Sequence, residues 1–239
     1  MALPWQGMLM LGTTDTDYDG DPGECAVDTT DVAQVLAEAS LALPGELIRP
    51  DAVRFSFAAL RVLPLGAGVS AHAHREHLVR LGRFGMLSIA GGKLTTHRRI
   101  AVEALRRLPD PRVSDLQLTN APLPQAEPDE ASERDIDPDV VEHLAAAYGR
   151  DASAVMRQRG NHPDALERID PKGPDIWAQV HHAVENEWAV TVEDIVRRRT
   201  TLAVRGLASP AIRTDVARVI AERYSPVLGS SLIEAELMQ

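Results

Sequence analysis

The stretch from Pro109 to Pro138 carries no hydrophobic period, is acidic and polar, and is punctuated by Pro111, Pro122, Pro124 and Pro128. Such a segment reads as a linker or as an extended segment lying along a surface, and the character of the chain changes across it. Before it, strand-like and helical patterns alternate. Met8–Leu11 is apolar, Val32, Val35, Leu36 and Ala39 recur at helical spacing behind Thr29 and Thr30, which can cap that helix, and Val53–Leu63, rich in aromatic and branched residues, reads as a strand. His74–Leu81 and Gly85–Ala90 read as further strands, and Ile100, Ala104, Leu105 and Leu108 as one face of a helix. After it, every pattern is helical. Asp137-Pro138 opens a helix that Gly149 stops, Ile176, Val180, Val184 and Trp188 form one stripe, Thr191 with Asp194 makes a capping box, and Ser209-Pro210 starts the last helix. The expectation is an α+β chain: a mixed or antiparallel sheet in a half-domain over 1–108, a linker over 109–137, and an all-α domain over 138–239.

Composition matters here for what it excludes. A formal charge of −10 argues against nucleic-acid partners and against a general electrostatic hold on anionic lipid. It also makes any local cluster of cations informative. The single Cys25 cannot form an internal disulfide and leaves no cysteine-based zinc site, which fits a cytoplasmic protein. No apolar run is long enough to span a bilayer, and Met1-Ala2-Leu3-Pro4-Trp5 has no basic segment leading into an apolar core.

The chemistry concentrates at Ser88-Ile89-Ala90-Gly91-Gly92-Lys93-Leu94-Thr95-Thr96, a strand running through two glycines and a lysine into a helix. The glycines allow a sharp turn and close approach, while the helix start offers unpaired N–H groups beside a full positive charge. The guest for such a loop is anionic or carbonyl-rich: a phosphate, a carboxylate or a flavin edge. An ordinary strand-to-helix connection with a solvated lysine is the alternative. A Walker phosphate loop is disfavoured, because Leu87 stands where its first glycine belongs and Leu94 where Ser or Thr must follow the lysine.

Other clusters read as structure. Asp15, Asp17 and Asp19 with Gly20 open like a calcium loop, but its twelfth position is Ala26, so a capped turn is the better reading. His72, His74 and His77 do not converge from one strand, and His181-His182 diverge on a helix, so no metal site is assigned. No G-x-S-x-G elbow occurs. Arg61 differs: it lies in an apolar run, where a charge must be paired or bound to something. A buried ion pair is one account. With Arg75 and Lys93 it also makes three cations on sheet elements of an acidic chain, the set a small phosphorylated substrate needs.

Leu3-Pro4-Trp5, Gly12-Thr13-Thr14-Asp15-Thr16-Asp17-Tyr18-Asp19-Gly20-Asp21-Pro22, Leu60-Arg61, Arg75-Glu76-His77 and Gly91-Gly92-Lys93-Leu94-Thr95-Thr96 together resemble the FAD-dependent glycerol-3-phosphate dehydrogenases. The run Val184–Arg199 is similar to their C-terminal helical domain, and order and spacing agree over nearly the whole chain. The resemblance implies an oxidoreductase of glycerol metabolism. In it, hydride passes from carbon 2 of sn-glycerol 3-phosphate to flavin N5, dihydroxyacetone phosphate is released, and the electrons go on to a quinone. Gly91, Gly92, Lys93, Leu94 and Thr95 would approach the FAD pyrimidine carbonyls. Arg61 and Lys93 would bind the phosphate and polarise the carbon-2 oxygen as catalytic residues, and Arg75 would be a further substrate contact.

Two residues depart from the family pattern: Val62 stands for a proline, and His97 for a tyrosine. The resemblance covers only the later part of such enzymes, for no G-x-G-x-x-G pyrophosphate turn is present. The chain therefore reads as a fragment: a truncated gene, one half of a split enzyme whose partner chain supplies the FAD-binding segment, or a non-catalytic remnant or binding module. Alone it is expected neither to hold FAD tightly nor to turn over. Quinone linkage would bring it to the inner membrane face as a peripheral protein. A related amine-oxidising flavoenzyme would not need Arg61, Arg75 and Lys93 together.

Overall fold

The computed structural model describes residues 1–61, 76–108 and 135–228. Arg75, Val62, His72, His74 and most of the expected linker lie outside the described residues. The chain divides into two compact units, Met1–Ala121 and Pro122–Gln239.

In the first unit, β1 (Ala2–Trp5) and β2 (Met8–Leu11) form an antiparallel hairpin with Leu3 opposite Met10. Gln6 and Gly7, at φ 45° and 78°, make the two-residue turn whose twist suits a hairpin. Helix α1 (Thr29–Ser40) follows, and its cap is Asp28 rather than the threonines. Asp28 accepts from the Asp31 N–H while Asp31 accepts from that of Asp28, a reciprocal box. A second hairpin pairs β3 (His77–Leu81) with β4 (Leu87–Gly91), and α2 (His97–Arg106) packs on β3.

Two sequence expectations change here. Among the described residues the sheet is two two-stranded ribbons rather than one sheet, while the pairing is antiparallel as expected, because both connections are too short for a parallel crossover. The run 53–61 joins no ladder among the described residues, although its composition is that of a strand. Phe57 and Leu60 are exposed, so it lacks the covered face that turns β-propensity into pairing.

The second unit is helical. α3 (Pro138–Tyr148) ends at Gly149, whose φ of 53° closes the helix. Asp137 occupies the cap position, but its carboxylate is held by Arg168 at 2.8 Å instead of capping. A short helix α4 (Ala152–Met156), α5 (Trp177–Asn186), a π-helical turn Asp194–Arg199 and α6 (Pro210–Leu228) complete it. Val140, Leu144, Val155, Met156, Ile176 and Ala178 pack as one buried cluster. The capping box read at Thr191 and Asp194 forms, with the Thr191 N–H donating to Asp194 at 3.0 Å and the Asp194 N–H to Thr191 Oγ1 at 3.1 Å. Trp188 leaves the stripe. Helix α5 stops at Asn186, and Trp188 takes φ 58° with its indole 87% exposed.

Candidate functional site

The junction between β4 and α2 is built by close approach. Gly91 (φ 70°) pairs with His77 across the hairpin, and a methyl group there would stand 2.8 Å from the Glu76 carbonyl oxygen. At Gly92 (φ 90°) it would stand 2.6 Å from Ile100 Cδ1 and 3.1 Å from His77 Cβ. Both the left-handed conformation and the packing demand glycine. Lys93 then enters a single 3-10 turn, Leu94–Thr96, whose Thr96 N–H and hydroxyl both donate to the Lys93 carbonyl at 2.9 Å.

What remains open at the junction is a set of donors. Among the described residues the N–H groups of Lys93, Leu94 and Thr95 have no acceptor, the Lys93 ammonium has no ion-pair partner, and all three residues are exposed. His97 turns back, its Nδ1–H donating to the Leu94 carbonyl at 2.7 Å, so it is a first-turn surface histidine rather than a residue aimed at a substrate. Exposed donors without partners, a cation and two backbone-forced glycines fit an anionic or carbonyl-rich group, the pyrimidine edge of FAD included.

Of the other cations predicted for this site, one has a described partner and one lies outside the described residues. Arg61 donates to Asp15 at 2.5 Å, a half-exposed ion pair 46 residues apart in sequence, and Arg75 lies outside the described residues. The acidic turn thus serves Arg61 through Asp15, while the Tyr18 hydroxyl donates to the Asp21 carbonyl at 2.9 Å. No group of three or more His, Cys, Asp or Glu side chains among the described residues has metal-holding geometry.

Sequence reasoning missed two polar clusters. Behind the glycines, His77 Nε2 donates to Glu103 at 2.8 Å, and Arg107 donates to the other Glu103 oxygen at 2.9 Å and to the Val79 carbonyl. The His77 ring beside it holds the Glu103 carboxyl below the ordinary carboxylate value. The i,i+4 pair Glu103–Arg107 was visible in the sequence, but its link to His77 needed the tertiary fold. In the second unit, the buried Asp175 accepts from His143 at 3.1 Å, from the Thr201 hydroxyl at 2.6 Å and from the Thr201 N–H at 3.1 Å. Burial alone would raise the Asp175 pKa. The His143 and Thr201 hydrogen bonds outweigh it and hold the carboxyl below its usual range.

The family model described as the C-terminal domain of alpha-glycerophosphate oxidase matches residues 87–225, from β4 through the glycine–lysine loop into α6. The chain is 32% identical over 222 residues to a glycerol-3-phosphate dehydrogenase of Synechocystis sp., covering 84% of this chain and 39% of that protein. It is 30% identical over 244 residues to glycerol-3-phosphate dehydrogenase 2 of Mycobacterium bovis, covering 95% and 40%. A D-erythritol 1-phosphate dehydrogenase of Brucella abortus is 30% identical over 213 residues, covering 82% and 42%. The chain therefore spans about two-fifths of the length of these relatives.

Proposed function

The chain belongs to the family described as the C-terminal domain of alpha-glycerophosphate oxidase, and from that premise we propose that it is the C-terminal portion of an FAD-dependent sn-glycerol-3-phosphate dehydrogenase. The observation that carries the reading is the Gly91-Gly92-Lys93 junction inside the matched region, where the N–H groups of Lys93, Leu94 and Thr95 and the Lys93 ammonium are exposed and have no partner among the described residues. Gly91, Gly92, Lys93, Leu94 and Thr95 would hold the carbonyl edge of the flavin ring. Bound there, FAD would supply the acceptor for the hydride from carbon 2, with the hydroxyl proton released to solvent and dihydroxyacetone phosphate formed, before the electrons go on to a quinone.

Within this chain the work is electrostatic. Lys93 draws the substrate phosphate and favours charge developing on the carbon-2 oxygen, a stabilisation that strengthens as water is excluded. Arg61 joins it only by exchanging Asp15 for phosphate, and Arg75 is a further phosphate contact. One relative is named for D-erythritol 1-phosphate, so the substrate class extends to polyol phosphates with a secondary alcohol. Quinone reduction would hold the assembled enzyme at the membrane surface as a peripheral protein. No helix among the described residues is long and apolar enough to cross a membrane. A non-catalytic binding module is the second reading, favoured by the engagement of Arg61 with Asp15.

The test is co-expression with a polypeptide carrying a G-x-G-x-x-G FAD-binding unit encoded beside this gene. The 239-residue chain alone is expected to purify colourless and inactive, and the complex to be yellow and to reduce a dye with sn-glycerol 3-phosphate or erythritol phosphate. Lys93→Ala should cost the complex about tenfold or more in kcat/KM, the range for one lost electrostatic contact at a transition state. A complex that takes up no flavin, or that oxidises neither polyol phosphate, overturns the reading.

A further inference from the structure

One face of α2 is fastened to β3 at three levels. Ile100 fills the space beside Gly92, Glu103 accepts a hydrogen bond from His77 at 2.8 Å, and Arg107 reaches the Val79 carbonyl. Residues spaced three and four apart fall on one side of a helix, so these contacts form a single seam. His77 occupies its end nearest the loop. It pairs with Gly91 across the hairpin, its Cβ forms one wall of the space at Gly92, and its ring is largely buried. The Glu103 carboxylate cannot swing away, because one oxygen is held by His77 and the other by Arg107 at 2.9 Å.

We propose that His77, locked by Glu103, is a positioning residue that sets the aim of the Gly91–Lys93 loop. The wall it forms at Gly92 and the Ile100 side chain leave the loop one path from β4 into α2. Beyond that path the N–H groups of Lys93, Leu94 and Thr95 and the Lys93 ammonium are left exposed and without partners among the described residues. The consequence for ligand affinity rests on the function proposed above, whereas the coupling between His77, Glu103 and the loop does not.

The test uses the full 239-residue chain as wild type, His77→Ala, Glu103→Ala and the exchanged pair His77→Glu with Glu103→His. Backbone 15N resonances of Gly92, Lys93, Leu94 and Thr95 are recorded, then followed on titration with sn-glycerol 3-phosphate, with the thermal midpoint measured beside them. Each single variant should move the loop resonances and weaken the response to the phosphate by about five- to tenfold, and the exchanged pair should recover both to within about twofold. Should His77→Ala unfold the hairpin, Glu103→Gln, which keeps an acceptor without the charge, should give a shift of the same sign and smaller size.

Loop resonances that stay in place in the single variants overturn the proposal. So does an exchanged pair that restores the thermal midpoint but not the resonances, the behaviour of a staple with no role in aiming the loop. If wild type gives no response to the phosphate while the resonances still follow the exchange, the positioning role stands, and the substrate reading is decided by the flavin-loaded complex.

Discussion

An alanine methyl at Gly91 would meet a backbone oxygen at 2.8 Å, whereas at Gly92 its nearest neighbour is the end of the Ile100 side chain at 2.6 Å. A side-chain end can rotate aside and a hairpin carbonyl cannot. Both substitutions also force a β-carbon into the left-handed region, at about 1–2 kcal/mol. Gly91→Ala should therefore destabilise the first unit by about 2–4 kcal/mol and Gly92→Ala by less, read as urea midpoints of that unit. Equal midpoints would mean that the hairpin does not hold its register at Gly91. The need for glycine was legible in the sequence, but the atoms enforcing it, on β3 and α2, were not. Arg61 marks the opposite case. Its charge in an apolar run predicted a partner, and the partner is Asp15, from the turn that otherwise resembled a calcium loop. A half-exposed pair of this kind contributes about 0–1 kcal/mol, so Asp15→Asn should leave stability nearly unchanged. In the flavin-loaded complex it should tighten sn-glycerol 3-phosphate by about fivefold if the released Arg61 reaches the phosphate. Unchanged affinity by calorimetry removes Arg61 from the site.

Helix α5 is where element-level reading succeeded best and still failed at an end. Ile176, Val180 and Val184 are buried as their spacing requires, yet Trp188 is not, because both the Glu187 and Ala189 N–H groups turn back to the Ala183 carbonyl and close the helix. Apolar spacing continues past a cap that periodicity alone cannot see. The same helix carries His181, whose ring lies parallel to that of His162 with centroids 3.6 Å apart. Burial first, and then the neighbouring His162, push the His181 pKa below 6.5. The folded chain thus binds fewer protons here than the unfolded chain once pH drops below 6.5. Stability is whole above that pH and falls as pH descends through the folded value. Wild type should lose second-unit stability between pH 7.5 and 5 faster than His181→Leu, by at most about 1.4 kcal/mol per pH unit. Parallel curves in the two proteins would refute this. Asp175 acts lower on the scale. Its folded pKa is depressed, so its contribution is present above the ordinary carboxylate value and disappears as pH falls through the folded one. Asp175→Ala would strand His143 and the Thr201 N–H in the interior and should cost about 3–5 kcal/mol at pH 7, measured by urea unfolding of the second unit.

Burial is distributed very unevenly over the molecule. Among the described residues of the first unit only Val79 and Ala104 are buried hydrophobics, while Leu78, Phe84, Met86 and Ile89 of the second hairpin region are exposed. The second unit buries a continuous set from Val140 to Ile220. Composition hid this contrast, because both regions are rich in apolar residues and periodicity reports a candidate face without reporting what covers it. A two-stranded ribbon with open edges is marginal by itself, and local opening is easiest where few apolar contacts oppose it. The two units should accordingly separate in native-state hydrogen exchange at pH 7. Amides at the centre of α5 and of α6 should exchange through near-global opening, while those of β1 and β2 should exchange at least about a hundredfold faster, a gap of about 2.7 kcal/mol in opening free energy. Mild proteolysis should cut residues 1–61 before the helical unit for the same reason. Equal protection in the β1–β2 ribbon and in α5 would mean that the first unit has a core of its own, and the contrast in burial would then carry no consequence for stability.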